Sequence, residues 1–139
     1  MEQQYMIQMQ MLQQEAQELN QQLQLIEQNI SEMQELNLSL EELEKNDDKN
    51  ILANIGKKIY LPVEVKEKEL FVEVGKGNFV KKSVLDTKQI VDGQVKKLII
   101  GKEDIIKKLE ELQGKANDLM MNIGKEQGKD KTDENKDNQ

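Results

Sequence analysis

The sequence predicts an α+β chain that is mainly α: a long antiparallel coiled-coil hairpin of two helices, with two small β-hairpins at its base. Three observations predict it. Apolar residues recur in alternating steps of four and three over residues 1–45 and again after residue 83. Between those runs the apolar period drops to two, interrupted by Lys-Glu-Lys-Glu and Gly-Lys-Gly-Asn. With two Phe, two Tyr and no Trp in 139 residues, the chain has too few aromatics for an ordinary globular core. Its apolar surface has to be buried along a seam or against partners.

The first helix spans residues 1–45. Tyr5, Met9, Leu12, Ala16, Leu19, Leu23, Ile26, Ile30 and Met33 occupy alternating a and d positions of sustained heptads, with glutamine and glutamate elsewhere. The strict period argues for a helix over a glutamine-rich low-complexity segment. After Met33 the next a position is Asn37, and the apolar series continues as Leu36, Leu40 and Leu43, a three-residue step that turns the seam. Asn46-Asp47-Asp48-Lys49-Asn50 ends the helix.

Residues 51–82 form the β-hairpins. Ile59, Leu61, Val63 and Val65 alternate with Tyr60, Pro62, Glu64 and Lys66, and Leu70, Val72 and Val74 repeat the pattern before Phe79-Val80. Ile51-Leu52 supplies a first short strand, and Pro62 favours a strand end or sheet edge. Gly75-Lys76-Gly77-Asn78 lacks the third glycine and the following helix of a phosphate-binding loop, so it is a hairpin turn needing positive φ. Ser83, three residues before Asp86, opens the second helix over residues 83–124. Its heptads run unbroken through Val91, Val95, Leu98, Lys102, Ile105, Leu109, Leu112, Ala116, Leu119 and Ile123. Residues 125–139 hold no apolar side chain and are expected to be a disordered charged tail.

Pairing residues whose numbers sum to 128 sets every a of one helix against a d of the other, and a sum of 135 fits almost as well. Periodicity does not choose between the two registers. Either register brings the chain ends together. There Met6, Ile7 and Met11 fall at e, f and c, with Met120 and Met121 at e and f, all off the seam. Flexible, polarizable methionines suit a grip on varied apolar surfaces, and the competing reading is a frayed terminus. Leu25, Ile99 and Ile100 are off the seam mid-helix and suggest a second lateral patch. The apolar strand face can pair with another chain through its open edges, fold back on Leu36, Leu38, Leu43, Val84 and Leu85, or do both. Open edges favour pairing.

Composition excludes much chemistry. All twenty basic residues are lysine, the net charge is −7, and Arg, His and Cys are absent. No thiolate, imidazole base or usual zinc site is available. Neither a bidentate phosphate contact nor attraction to a nucleic-acid backbone is available. The carboxylates sit at helical surface spacing among lysines, as on solvated faces. The chain is expected to be no enzyme, to need no cofactor or metal, to bind neither nucleic acid nor membrane, and to be cytoplasmic, since it has neither a signal-peptide pattern nor a membrane-length apolar run.

The stretch LFVEVGKGNFVKKS at 70–83, together with IGKKIYLPVEV at 55–65, resembles the strand–GxG–strand pattern and preceding hairpin of alpha-class subunits of the prefoldin family. Two hairpins favour the alpha over the beta class, and the length is similar to archaeal members. Ala53-Asn54-Ile55-Gly56 departs from the family's frequent Val-Pro-hydrophobic-Gly run, which bears on the first strand. The resemblance implies a hexamer of two alpha and four beta subunits joined through an oligomeric β-barrel. It also implies coiled-coil arms whose tips hold non-native client proteins and pass them to a group II chaperonin without ATP. Carried onto this chain, the tip contacts come from Tyr5, Met6, Ile7, Met9, Met11, Leu12, Leu119, Met120, Met121 and Ile123. The oligomerisation contacts come from Ile59, Leu61, Val63, Val65, Leu70, Val72, Val74 and Phe79. The alternative is a structural coiled-coil subunit or filament-forming prefoldin-like protein.

Overall fold

The computed structural model describes residues 2–137, with side chains described for residues 2–125. In chain order it holds α1 (Glu2–Lys45), β1 (Asn50–Gly56), β2 (Ile59–Glu64), β3 (Glu69–Gly75), β4 (Asn78–Ser83) and α2 (Val84–Asp137). The chain divides into two units, one of Met1–Gln28 with Ile100–Gln139 and the other of Asn29–Ile99. α2 continues past Gly124, where the apolar repeat stops. Beyond Lys125, the expected charged tail falls outside the residues whose side chains are described.

In the first unit the heptads become burial. Tyr5, Met9, Leu12, Ala16, Leu19, Leu23 and Ile26 are half-buried while their α1 neighbours are exposed. On α2, Ile105, Leu112 and Leu119 are buried, with Leu109, Ala116 and Ile123 half-buried between them. Lys102 sits at an a position in this seam, and its Nζ lies 3.5 Å from Glu27 Oε1. A Cβ on Gly101 would stand 3.6 Å from Ile26 Cδ1. These pairs select the register in which opposed numbers sum to about 128. The alternative would move Lys102 one heptad along α1, to Met33, and set Gln34 in the position that Glu27 holds.

The second unit has the same register. Leu40, Val84 and Val91 form its buried cluster, with Met33, Leu43, Leu70 and Val95 packed against it. Asn37 stays in the seam, half-buried, whereas Leu36 is 43% exposed. The change of step therefore falls at Asn37–Leu40–Leu43, later than the apolar residues alone suggested. A polar residue fills the a position because it has a partner: Asn37 Nδ2 donates to Asp92 Oδ1 at 2.5 Å. Its Oδ1 is buried without a partner among the described residues. Such a group costs about 1–3 kcal/mol, and a lone polar a residue is tolerated where it fixes register. Lys88, also at a, donates from Nζ to Glu41 Oε1 at 2.8 Å.

Short polar contacts set the element ends. Asn46 N–H donates to Glu42 O, Asp48 N–H to Asn46 Oδ1 and Asn50 N–H to Asp48 Oδ1, so the Asn-Asp run satisfies its own backbone as α1 stops. Lys68 Nζ donates to Glu44 O at 3.2 Å, placing a cation at the negative end of α1. Ser83 Oγ accepts from Asp86 N–H at 3.1 Å, the expected N-cap of α2. Thr87 is buried because its Oγ1 donates to Ser83 O at 2.8 Å.

The strands make two separate two-stranded antiparallel sheets, β1–β2 and β3–β4. Lys57 and Lys58 have φ 48° and 63°, and Lys76 and Gly77 have 47° and 77°. Both loops are thus two residues with left-handed centres, the geometry whose twist matches hairpin strands. Each hairpin has a one-residue bulge just before its turn, at Ile55 and at Val74. β1 is a full seven-residue strand despite its unusual Ala-Asn-Ile-Gly end.

The Glu41–Lys88 pair predicts a pH dependence. The bond from Lys88 holds the Glu41 carboxyl below its ordinary 4.5, and the bond to Glu41 raises Lys88 above its ordinary 10.5. The pair's contribution is therefore complete between about pH 4.5 and 10.5 and fades as pH falls through the depressed value of Glu41. Glu41→Gln is expected to lower the thermal midpoint at pH 7 and to lose that deficit in strong acid, followed by circular dichroism. A deficit independent of pH would contradict the pairing.

Candidate functional site

Two surfaces expose apolar side chains in groups, and each follows from the local periodicity. The first is in the unit that holds both chain ends. Met6, Ile7, Met11, Met120 and Met121 are each 56–66% exposed. The seam keeps the other residues expected there: Leu119 is buried, and Tyr5, Met9, Leu12 and Ile123 are half-buried. The predicted site thus separates into a seam that builds it and five side chains that face water. With Met9 opposite Leu119 in the selected register, those five surround one end of the helix pair. Nothing charged lies between Gln3 and Gln14.

The second surface is the pair of hairpins. Asn50 and Glu69, Gly56 and Gly75, and Ile59 and Asn78 are each nineteen residues apart, so the second hairpin repeats the first at a constant offset. The burial patterns of β1 and β3 are identical, as are those of β2 and β4. One face of the first hairpin carries Ile51, Ala53, Leu61 and Val63, and the corresponding face of the second carries Leu70, Val72, Val80 and Lys82. The opposite faces carry Leu52, Tyr60 and Pro62, and Phe71, Phe79 and Lys81.

This register regroups the eight hairpin residues singled out from sequence. Leu61, Val63, Leu70 and Val72 share equivalent faces. Phe79 pairs with Glu73 and points to the other side, because the Val74 bulge shifts the count by one. Ile59 closes the first turn opposite Gly56, and Val65 follows β2, its N–H donating to Lys49 O. Val63, Val65, Leu70 and Val72 are half-buried; Ile59, Leu61, Val74 and Phe79 are exposed. Leu70, with Leu43 and Val84, joins the helix cluster, while Leu36, Leu38 and Leu85 remain exposed. Folding back therefore covers only part of the strands.

Sequence reasoning missed Leu52, Ile55, Tyr60 and Phe71, all exposed, the last at 70%. The signal was the nineteen-residue offset, which pairs Leu52 with Phe71 and Tyr60 with Phe79. Lys81 braces this surface: its Nζ lies 2.8 Å from Glu67 and 2.9 Å from Glu69, and 5.9 Å from the centre of the Phe71 ring. The bonds to Glu67 and Glu69 raise the Lys81 ammonium well above the usual lysine range, and the bond from Lys81 lowers Glu67.

Among the described residues no group of three or more potential ligands is placed to hold a metal ion. No helix among them is long and apolar enough to cross a membrane. Both surfaces can bind apolar groups, and neither presents a nucleophile beside a base.

Comparison with known proteins places the chain beside a family and a solved structure of like fold. The family model described as "Prefoldin subunit" matches residues 12–129. The cryo-EM structure of filamentous PFD from Methanocaldococcus jannaschii is similar over 85% of this chain and 93% of that one, with a TM-score of 0.52 at 20% identity, a likeness of fold. Comparison with curated protein sequences returns no significant match.

The exposure pattern predicts an order of oxidation. Dilute hydrogen peroxide is expected to convert Met6, Met11, Met120 and Met121 to the sulfoxide before the half-buried Met9 and Met33, as read by peptide mass spectrometry. Equal rates at all six would mean that the seam does not shield its methionines.

Proposed function

The chain belongs to the prefoldin family, and on that premise we propose that it is an ATP-independent chaperone subunit of the alpha class. Its role is to capture non-native polypeptides at the end formed by its two termini and to deliver them to a group II chaperonin. The observation that carries this reading is the set of five exposed apolar side chains, Met6, Ile7, Met11, Met120 and Met121, around a seam that holds the chain ends together. Fully burying one methionine contributes roughly 1.5–3 kcal/mol. Partial burial at several such ends gives a grip that is weak at each contact and firm through multivalency, as suits release to another machine.

In this reading the hairpins join the chain to beta-class subunits, two alpha with four beta, in a cytoplasmic hexamer built around a β-barrel. Support comes from the open strand edges and from exposed Ile59, Leu61, Val74 and Phe79 beside half-buried Val63, Val65, Leu70 and Val72. Changing Met6, Met11, Met120 and Met121 to serine is expected to leave helicity and assembly intact and to abolish most suppression of client aggregation. Undiminished suppression would remove the basis for capture at this end.

A second reading is favoured by one observation: a solved structure of similar fold is that of a filamentous prefoldin. In that reading the chain is a structural coiled-coil subunit that polymerises through its hairpins. Mass measurement separates the two. A defined heterohexamer formed with a beta-class partner supports the chaperone, and open-ended homopolymers support the filament.

A further inference from the structure

The two flanks of the helix pair in the first unit differ in chemistry. In an antiparallel pair the e positions of both helices line one flank and the g positions line the other. The g flank has a groove bordered by Glu15, Glu18, Lys108, Glu111 and Lys115. The e flank has a groove lined by Leu12, Gln13, Ala16, Asn20, Gln113 and Ala116, and no charged residue borders it. Met6 and Met120 occupy e positions too, so this uncharged flank leads directly to the exposed methionines. Two small seam residues explain the groove. Ala16 and Ala116 both stand at a positions, where every other seam residue of this unit is larger, and their small volume opens the wall between Leu12 and Leu112.

We propose that this groove is a subsite for an extended, uncharged segment of client polypeptide. An apolar client side chain enters beside Ala16 and Ala116 while the client backbone bonds to the amides of Gln13, Asn20 and Gln113. The inference rests on the capture reading above and names what that site selects. Its occupant follows from the chemistry of the wall. A carboxamide both donates and accepts, so it can satisfy the N–H and C=O groups that an unfolded strand exposes, with no preference for sequence. A client charge beside Ala16 would lose water and find no counterion, so charged segments are rejected. A folded surface, with its backbone already paired, has little to offer the amides.

Filling the groove makes opposite demands on stability and binding, which gives the test. The full chain carrying Ala16→Leu and Ala116→Leu is compared with the unaltered chain. Thermal unfolding is followed by circular dichroism, and binding is measured with a fluorescent decapeptide of Leu, Val, Ser and Gln. The filled chain is expected to melt no lower than the unaltered one yet to bind the peptide about tenfold more weakly, the scale of denying one apolar side chain its pocket. Should the filled chain melt lower, Gln113 replaced by a photo-crosslinking amino acid in the otherwise unaltered chain gives the answer, with crosslinking to the peptide expected there and not from position 115. Unchanged affinity in a well-folded filled chain, or equal crosslinking from both flanks, overturns the subsite. So does equal binding of a lysine-substituted peptide, or a concentration-dependent rise in mass abolished by filling, which would assign the groove to a second copy. These failures differ from failure of capture itself, in which the unaltered chain binds no peptide and suppresses no aggregation.

Discussion

Polar residues seated in an apolar seam set the register on which the rest of the molecule depends. Asn37, Lys88 and Lys102 occupy a positions where leucine or isoleucine would pack better, and each meets an acidic side chain on the opposing helix: Asp92, Glu41 and Glu27. A strictly apolar seam is nearly degenerate under a slip of seven residues, because every knob finds an equivalent hole. Polar residues are not degenerate, since a slip leaves a charge or amide facing methylene groups, and that penalty breaks the tie. Ion pairs that keep one partner in water, as Glu41 and Glu27 do here, add little to stability by themselves. Their effect is to exclude the alternative, and with the alternative excluded Met6–Met11 and Leu119–Met121 arrive at the same level.

Much of this was legible in the sequence. Nearly every a and d residue named from periodicity is buried or half-buried, and the off-seam methionines are exposed, because helical phase alone decides which side a residue takes. The register was legible in principle as well. Glu27–Lys102, Asn37–Asp92 and Glu41–Lys88 are aligned by one common number, but only if polar residues are counted together with apolar ones. Following leucines alone placed the change of step at Leu36, where the fold keeps Asn37.

The strands were harder to read, for a physical reason. A helix tolerates a local irregularity without reversing its faces, whereas a single bulged residue in a strand sends everything beyond it to the other side. Val74 does this to Phe79. The bulge belongs to a turn whose glycine and left-handed lysine are visible in the sequence, but its effect on facing emerges only once the pairing is known. The uncharged groove was illegible for a related reason. Ala16 and Ala116 both look like ordinary seam residues, and their small volumes matter only because the fold brings them onto the same stretch of the pair.

The nineteen-residue offset between the hairpins bears on how such chains change length over generations. One period contains a complete hairpin and the short link that follows it, and it begins and ends outside both helices. Losing residues 50–68 would join Lys49 directly to Glu69 and leave a hairpin that still runs into Ser83 and the start of α2. No heptad would change phase. In length and connectivity a chain with one hairpin and a chain with two therefore differ by one such unit, and the number of strands a subunit carries can vary without any alteration to its arms.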